Sequence, residues 1–179
     1  DLEARAAAIR ALLTEAPVPA GIAGGILDAY HDLQHRQGDD LRVAVRSSAT
    51  AEDLPGASFA GQQDTYLNVR GDESLLDHVR RCWASLWTAR AILYRERNGF
   101  AHGDVSLAVV VQEMFPSEVS GVMFTVNPVT SDVGEIIVNA SWGLGEAIVG
   151  GHVNPDQFVI DHGAQDVVGQ VLDLLDLVR

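Results

Sequence analysis

At 179 residues with 47% hydrophobic side chains, the chain has the length of one domain and enough apolar material to bury a core, which excludes an intrinsically disordered segment. A formal charge of −13 opposes approach to a nucleic-acid duplex or an anionic membrane, so neither is expected as a partner. The single cysteine, Cys82, rules out an internal disulfide and a cysteine metal cluster, and all 12 basic residues are arginines, with no lysine.

The first segment, DLEARAAAIRALL, carries charge where a signal peptide needs an apolar stretch, and no run reaches the roughly 18 apolar residues of a membrane span. A cytoplasmic location is the expectation. Residues 1 to 14 place Leu2, Ala6, Ile9, Leu12 and Leu13 at helical spacing, and a second helix is predicted from Ala20 to about Gln34, after the Pro17-Val18-Pro19 break. His31 and His35 on it have an i, i+4 spacing that a metal could use. No third ligand is evident nearby, so they read as a solvated helix face.

Leu41, Val43 and Val45 then alternate with Arg42, Ala44 and Arg46, the period of a half-buried strand, with Arg46 expected at its exit. From Val45 to Val69 the chain reads VRSSATAEDLPGASFAGQQDTYLNV. Its apolar residues have no helical period, and Pro55, Gly56 and Gly61 interrupt any helix, so an ordered loop is predicted, closed by a short strand from Thr65 to Val69. Small residues let backbone N–H groups approach a ligand, hydroxyls add donors, and an arginine fork suits phosphate oxygens. The ligand so implied is a polyphosphate, although a plain Ser/Gly/Asp connection has the same composition.

Asp72 can cap a long helix with Leu75, Leu76, Val79, Trp83, Leu86 and Leu93 on its inner face, ended by Gly99. Cys82 falls on its apolar side as a core thiol, and the Trp83 and Trp87 pair reads as core. Four strands follow, Ser106 to Met114, Gly121 to Val126, Glu135 to Ala140 and Gln157 to Asp161, and the short links between the first three favour antiparallel neighbours. Helices first and a meander of strands after them predict an α+β fold, mostly antiparallel sheet with flanking helices, as one domain over residues 1–179.

The signature loop, CWASLWTARAILYRERNG (Cys82 to Gly99), VVVQEM (Val109 to Met114), SGVMFTVNPVT (Ser120 to Thr130) and NASWGLGEAIVGGHVNPDQF (Asn139 to Phe158) together resemble the phosphoenolpyruvate synthase, pyruvate phosphate dikinase and rifampicin phosphotransferase family. The resemblance implies the central part of an ATP-grasp nucleotide-binding domain, incomplete at both ends, with ATP and Mg2+ as cofactors. It maps Arg46 onto an arginine that contacts ATP phosphates, Gly61 and Thr65 onto positions where the loop approaches the nucleotide, and Gln112, with Glu113, onto the strand end beside the adenine. Each has a plainer alternative: an Arg46 ion pair with Glu52 or Asp53, a turn at Gly61, an exposed strand residue at Thr65, and a core strand reaching solvent at Gln112. No catalytic residue and no metal ligand is assigned; Glu146, after Gly143 and Gly145, could equally be a first-turn acid.

In the family the phosphate-accepting histidine belongs to a separate swivelling domain, and none of the six histidines here matches its motif. The phosphate-binding lysine lies before the matched region, and the acidic magnesium ligand and closing strand lie after it. The resemblance thus implies an ATP-binding part that passes one phosphoryl group, through a histidine on another domain, to an acceptor domain's substrate, with little activity alone. The wording of Cys82 to Gly99 and of FTVNPVT looks closer to rifampicin phosphotransferase, with phosphoenolpyruvate synthase or a non-catalytic nucleotide-binding or docking remnant as alternatives.

Overall fold

The computed structural model describes residues 1–49, 53–54, 57–58 and 64–163, of which 53–54 and 57–58 are described by backbone alone. The chain forms two compact units, Asp1–Met114 and Phe115–Arg179. In both, helices accompany small antiparallel sheets.

The first unit opens with α1 (Leu2–Glu15), capped by the Asp1 carboxylate on Glu3 N–H, and α2 (Ala20–Gln37). The strands are β1 (Val43–Ala49), β2 (Asp53–Leu54), β3 (Ala57–Ser58), β4 (Thr65–Val69) and β5 (Leu107–Glu113), with α3 (Asp72–Ser85) and α4 (Ala89–Arg97) between β4 and β5. β1 is central in a sheet ordered β4-β1-β5, antiparallel to both neighbours. Alternation sends Val43 and Val45 inward to meet Val69, Tyr30, Leu75, Val79 and Cys82 in the unit's main core. Leu75, Val79 and Cys82 recur at i, i+4 and i+7 on α3, so one helix face supplies three of the eight buried residues of that core, each aliphatic side chain contributing about 1.5–3 kcal/mol on burial.

α2 is tied to the start of α3 by two contacts. The Gly71 N–H donates to the Tyr30 hydroxyl at 3.1 Å, and His31 Nε2 meets the Asp72 carboxylate at 2.9 Å. His31 keeps a solvated side chain, 44% exposed, and pairs with Asp72 at the surface; among the described residues no cluster of metal-ligating side chains occurs.

Three expectations are corrected here. The long helix from Asp72 to Gly99 is two helices, because Thr88 caps α4 through Ala91 N–H and the Ser85 hydroxyl turns back onto the Cys82 carbonyl. The break resets the helical phase, and Leu93, expected inside, is exposed. Leu12 of α1, counted with that helix's apolar positions, is also exposed, at 70%. Finally, β5 does not pair with the strand after it in sequence. It runs beside β1 over its whole length, which returns residues 107–113 to the first sheet.

The second unit contains β6 (Val119–Phe124), β7 (Glu135–Trp142), the single-turn α5 (Glu146–Val149) and β8 (Asp156–Asp161). Its sheet is an antiparallel meander, β6-β7-β8, as predicted for these strands. Ile136 and Val138 of β7 pack with Ile160 and Phe158 of β8 on one face. No helix among the described residues is long and apolar enough to cross a membrane.

Candidate functional site: the outward face of the first sheet

Burial of Val43 and Val45 fixes where their neighbours point. With the inner residues of β1 held in the core, Ala44, Arg46 and Ser48 belong to the opposite face, and Arg46 and Ser48 are exposed. Arg46 is not at the strand's exit, as its sequence position suggested, but in its middle, because the ladder to β5 continues to Ala49 opposite Leu107.

This register brings three of the four predicted binding residues onto one surface. Arg46 lies directly opposite Thr65 of β4 on one side and Val110 of β5 on the other. Gln112 pairs with Ala44, two residues along the same face. Directly opposed Cβ atoms stand roughly 4.5–5.5 Å apart and diagonal ones roughly 7–8 Å, so a guanidinium, a hydroxyl and a carboxamide share a patch of nucleotide dimensions. Thr65, Gln112 and Glu113 are all exposed. Gly61, the fourth residue, lies outside the described residues, as do the Glu52 and Asp53 side chains that could pair with Arg46. Among the described residues Arg46 has no ion pair.

Sequence reasoning passed over Ser48 and Val110. Both were available from strand alternation, since Ser48 follows Arg46 by two and Val110 precedes Gln112 by two. Val110 is 46% exposed, an apolar floor between the arginine and the glutamine.

Beneath this patch, β4 and β1 are pinned from inside. β4 carries one extra residue between Tyr66 and Val69, and Asn68 takes it up at a left-handed φ of 58°. Below them the buried Cys82 thiol faces the Val45 and Asp64 carbonyls at 3.7 and 3.8 Å, the residues just before Arg46 and Thr65. The Tyr66 hydroxyl donates to the Asp64 carboxylate at 3.0 Å, and its ring meets His78 at 4.8 Å between centroids.

Burial, reinforced by the Asp64 carboxylate, pushes the Cys82 thiol up from 9.0 to about 12. Burial also raises Tyr66, with the charge and hydrogen bond of Asp64 adding to it. Between about pH 9 and 12 the folded thiol keeps a proton that the unfolded one loses. Stability is therefore full below pH 9 and falls as pH rises through that window. Urea midpoints should decline from pH 8 to pH 10, and an aromatic disulfide reagent at pH 8 should label no thiol in the native protein and one in denaturant. Rapid native labelling would contradict the burial of Cys82.

In the second unit, Gly143 and Gly145 precede α5, which is only one turn long and starts at Glu146. The glycine pair makes a turn there, with Gly143 at a φ of 80°.

The model of the pyruvate phosphate dikinase AMP/ATP-binding domain matches residues 1–174. The chain belongs to this family. It is similar to a probable phosphoenolpyruvate synthase of Pyrococcus abyssi, 55% identical over 96% of this chain and 21% of that protein. The phosphoenolpyruvate synthase of Pyrococcus furiosus is 54% identical over the same shares, and a probable phosphoenolpyruvate synthase of Methanothermobacter thermautotrophicus is 56% identical over 91% of this chain and 24% of that protein. The chain thus spans about a fifth to a quarter of the length of these relatives. They carry the phosphoenolpyruvate synthase name, and the lean toward rifampicin phosphotransferase drawn from Cys82 to Gly99 and FTVNPVT finds no support in them. As a dikinase-type AMP/ATP-binding domain, the chain has in its first sheet an exposed cationic and polar face on which a nucleotide can be sought.

Proposed function

We propose that this chain is the ATP-binding part of a phosphoenolpyruvate synthase-type dikinase, built on the ATP-grasp plan, and that the outward face of β4-β1-β5 holds the nucleotide. The observation that carries the reading is the register that sets Arg46 between Thr65 and Val110, with Gln112 on the same face. Arg46 would donate two hydrogen bonds to phosphate oxygens, Thr65 would offer its hydroxyl, and the loop at Gly61 would bring backbone N–H groups to the same phosphates. Val110 would lie under the ribose and base, with Gln112 and the backbone of the strand end at the adenine edge.

The donor set fits a nucleotide's anionic end in kind but not in number. Phosphoryl transfer depends on positioning and on several cations, and Arg46 alone does not neutralise a triphosphate. Among the described residues no acidic cluster could hold a metal ion, so Mg2+ would arrive on the nucleotide's own phosphates. When bound it supplies charge neutralisation, while the residues named here bind and orient.

In the whole enzyme, ATP and water would yield AMP and phosphate, and the remaining phosphoryl group would pass through a histidine on a swivelling domain to pyruvate on an acceptor domain. The names of the relatives favour pyruvate over a rifamycin hydroxyl. The 179-residue chain is expected to bind Mg-ATP without ordinary turnover. Assays of the full-length protein should form AMP in a pyruvate-dependent way; AMP formation with a rifamycin and not with pyruvate would reverse the choice of acceptor, and Mg-ATP binding without AMP formation on either would favour a non-catalytic module.

A further inference from the structure

Asp64 stands one residue before Thr65, at the entry to β4, so a negative charge adjoins the proposed phosphate contact in sequence. A carboxylate on the Arg46 face would repel nucleotide phosphates and compete with them for the guanidinium. The carboxylate is held on the other side of the sheet. Val45 pairs with Tyr66 and Arg46 with Thr65, so Tyr66 shares the inner face with Val45 while Thr65 shares the outer face with Arg46. The Tyr66 hydroxyl donates to Asp64 Oδ2 at 3.0 Å, which keeps the charge on the Tyr66 side.

Several contacts fix this arrangement. The Tyr66 ring packs against the main core and lies 4.8 Å from the His78 ring, centroid to centroid, so the hydroxyl has a set position. His78 is itself oriented by its Nδ1, which donates to the Ser74 carbonyl one turn back at 2.7 Å. The Asp64 carbonyl faces the buried Cys82 thiol at 3.8 Å. Side chain and backbone of one residue are thus both held from the inner side, by β4 and by α3. Burial, reinforced by the Asp64 charge, raises the Tyr66 pKa, so the hydroxyl stays a proton donor throughout the neutral range. The ring serves the core; the hydroxyl serves Asp64.

We propose that Tyr66 is a positioning residue for nucleotide binding: by holding the Asp64 carboxylate on the inner side of β4, its hydroxyl keeps a negative charge off the face that carries Arg46 and Thr65. The proposal rests on the reading of that face as the nucleotide site and adds to it a residue that touches no nucleotide atom. An aspartate released from such a bond turns readily to nearby backbone N–H groups. At the start of β4 that movement brings its charge beside Thr65, which lies directly opposite Arg46, and there it competes with phosphate oxygens.

The test measures binding of the magnesium complex of the β,γ-imido analogue of ATP to the full-length protein by calorimetry, in the parent, Tyr66→Phe, Asp64→Asn and the double variant. Tyr66→Phe keeps the ring and should weaken binding by about tenfold, a loss that shrinks at high salt because exposed charge is screened. Asp64→Asn keeps an acceptor for the hydroxyl and removes the charge, so affinity should hold or rise. Tyr66→Phe added to Asp64→Asn should then cost less than about twofold, a non-additivity that marks the pair as one unit. A hydroxyl with a merely structural role would lower the melting temperature, read separately, and leave affinity alone. Parental affinity in Tyr66→Phe, or the same loss with and without Asp64→Asn, overturns the proposal. Arg46→Ala is measured beside these variants. If it weakens binding and Tyr66→Phe does not, the nucleotide site stands and the role of Tyr66 falls; if Arg46→Ala binds as the parent does, the site itself falls and the proposal with it.

Discussion

Arg46→Ala should weaken Mg-ATP binding by a hundredfold or more while leaving the melting temperature within about a degree of the parent. A hydrogen bond to a charged group contributes about 1.5–3 kcal/mol, and a guanidinium gripping two phosphate oxygens makes two of them. Each 1.4 kcal/mol is tenfold in affinity. The fold should not notice, because Arg46 is exposed and has no ion pair among the described residues. Arg46→Lys should recover only part of the loss, since an ammonium keeps the charge but not the planar fork. Calorimetric titration beside a thermal melt reads both quantities. An unchanged affinity would return Arg46 to the status of a surface arginine.

Arg95→Ala should produce the opposite pattern, a large loss of stability. Arg95 is fully buried, and burial lowers its pKa. Its Nη1 donates to the Leu86 carbonyl at 2.6 Å, its Nε donates to His102 Nδ1 at 3.1 Å, and the guanidinium stands 5.3 Å from the Trp87 ring centroid. The Leu86 carbonyl belongs to the C-cap of α3, and Leu86 packs with Ala49, the last residue of β1, and Val105. One buried side chain therefore closes α3, braces α4 and supports the strand that carries Arg46. Truncation leaves a void and a carbonyl without its donor, a combination expected to cost about 3 kcal/mol or more, or roughly 6–12 °C in melting temperature for a chain of this size. Arg95→Met should cost clearly less, because it refills the volume and removes a desolvated charge. A methionine variant as unstable as the alanine one would mean that the bond to Leu86, rather than the filled volume, dominates.

The parts of the fold legible in the sequence were those set by alternation and helical spacing. Leu41, Val43 and Val45 announced β1, and Leu75, Val79 and Cys82 announced the inner face of α3, because burial on one side leaves a periodic trace. The break between α3 and α4 was less legible. Trp83, Leu86 and Leu93 continue an apolar pattern straight through it, and only Thr88 as a cap and the buried Arg95 beside Leu86 distinguish two helices from one. The return of β5 to β1 was not legible at all, since the choice between pairing with β1 and with the next strand is made by long-range packing of Val109 and Val111 against the α2 and α3 core. That non-local choice is also what gathers Gln112 beside Arg46. The candidate residues could be named from motifs one at a time, but their common face depends on strand register, which depends on the whole unit.

The most direct test of a nucleotide site on this face is to titrate the 15N-labelled chain with Mg-ATP and follow its amide resonances. The account predicts saturable shifts centred on Arg46, Thr65, Val110 and Gln112, lost in Arg46→Ala. Shifts confined to residues 115–163, or none at millimolar nucleotide, would contradict it.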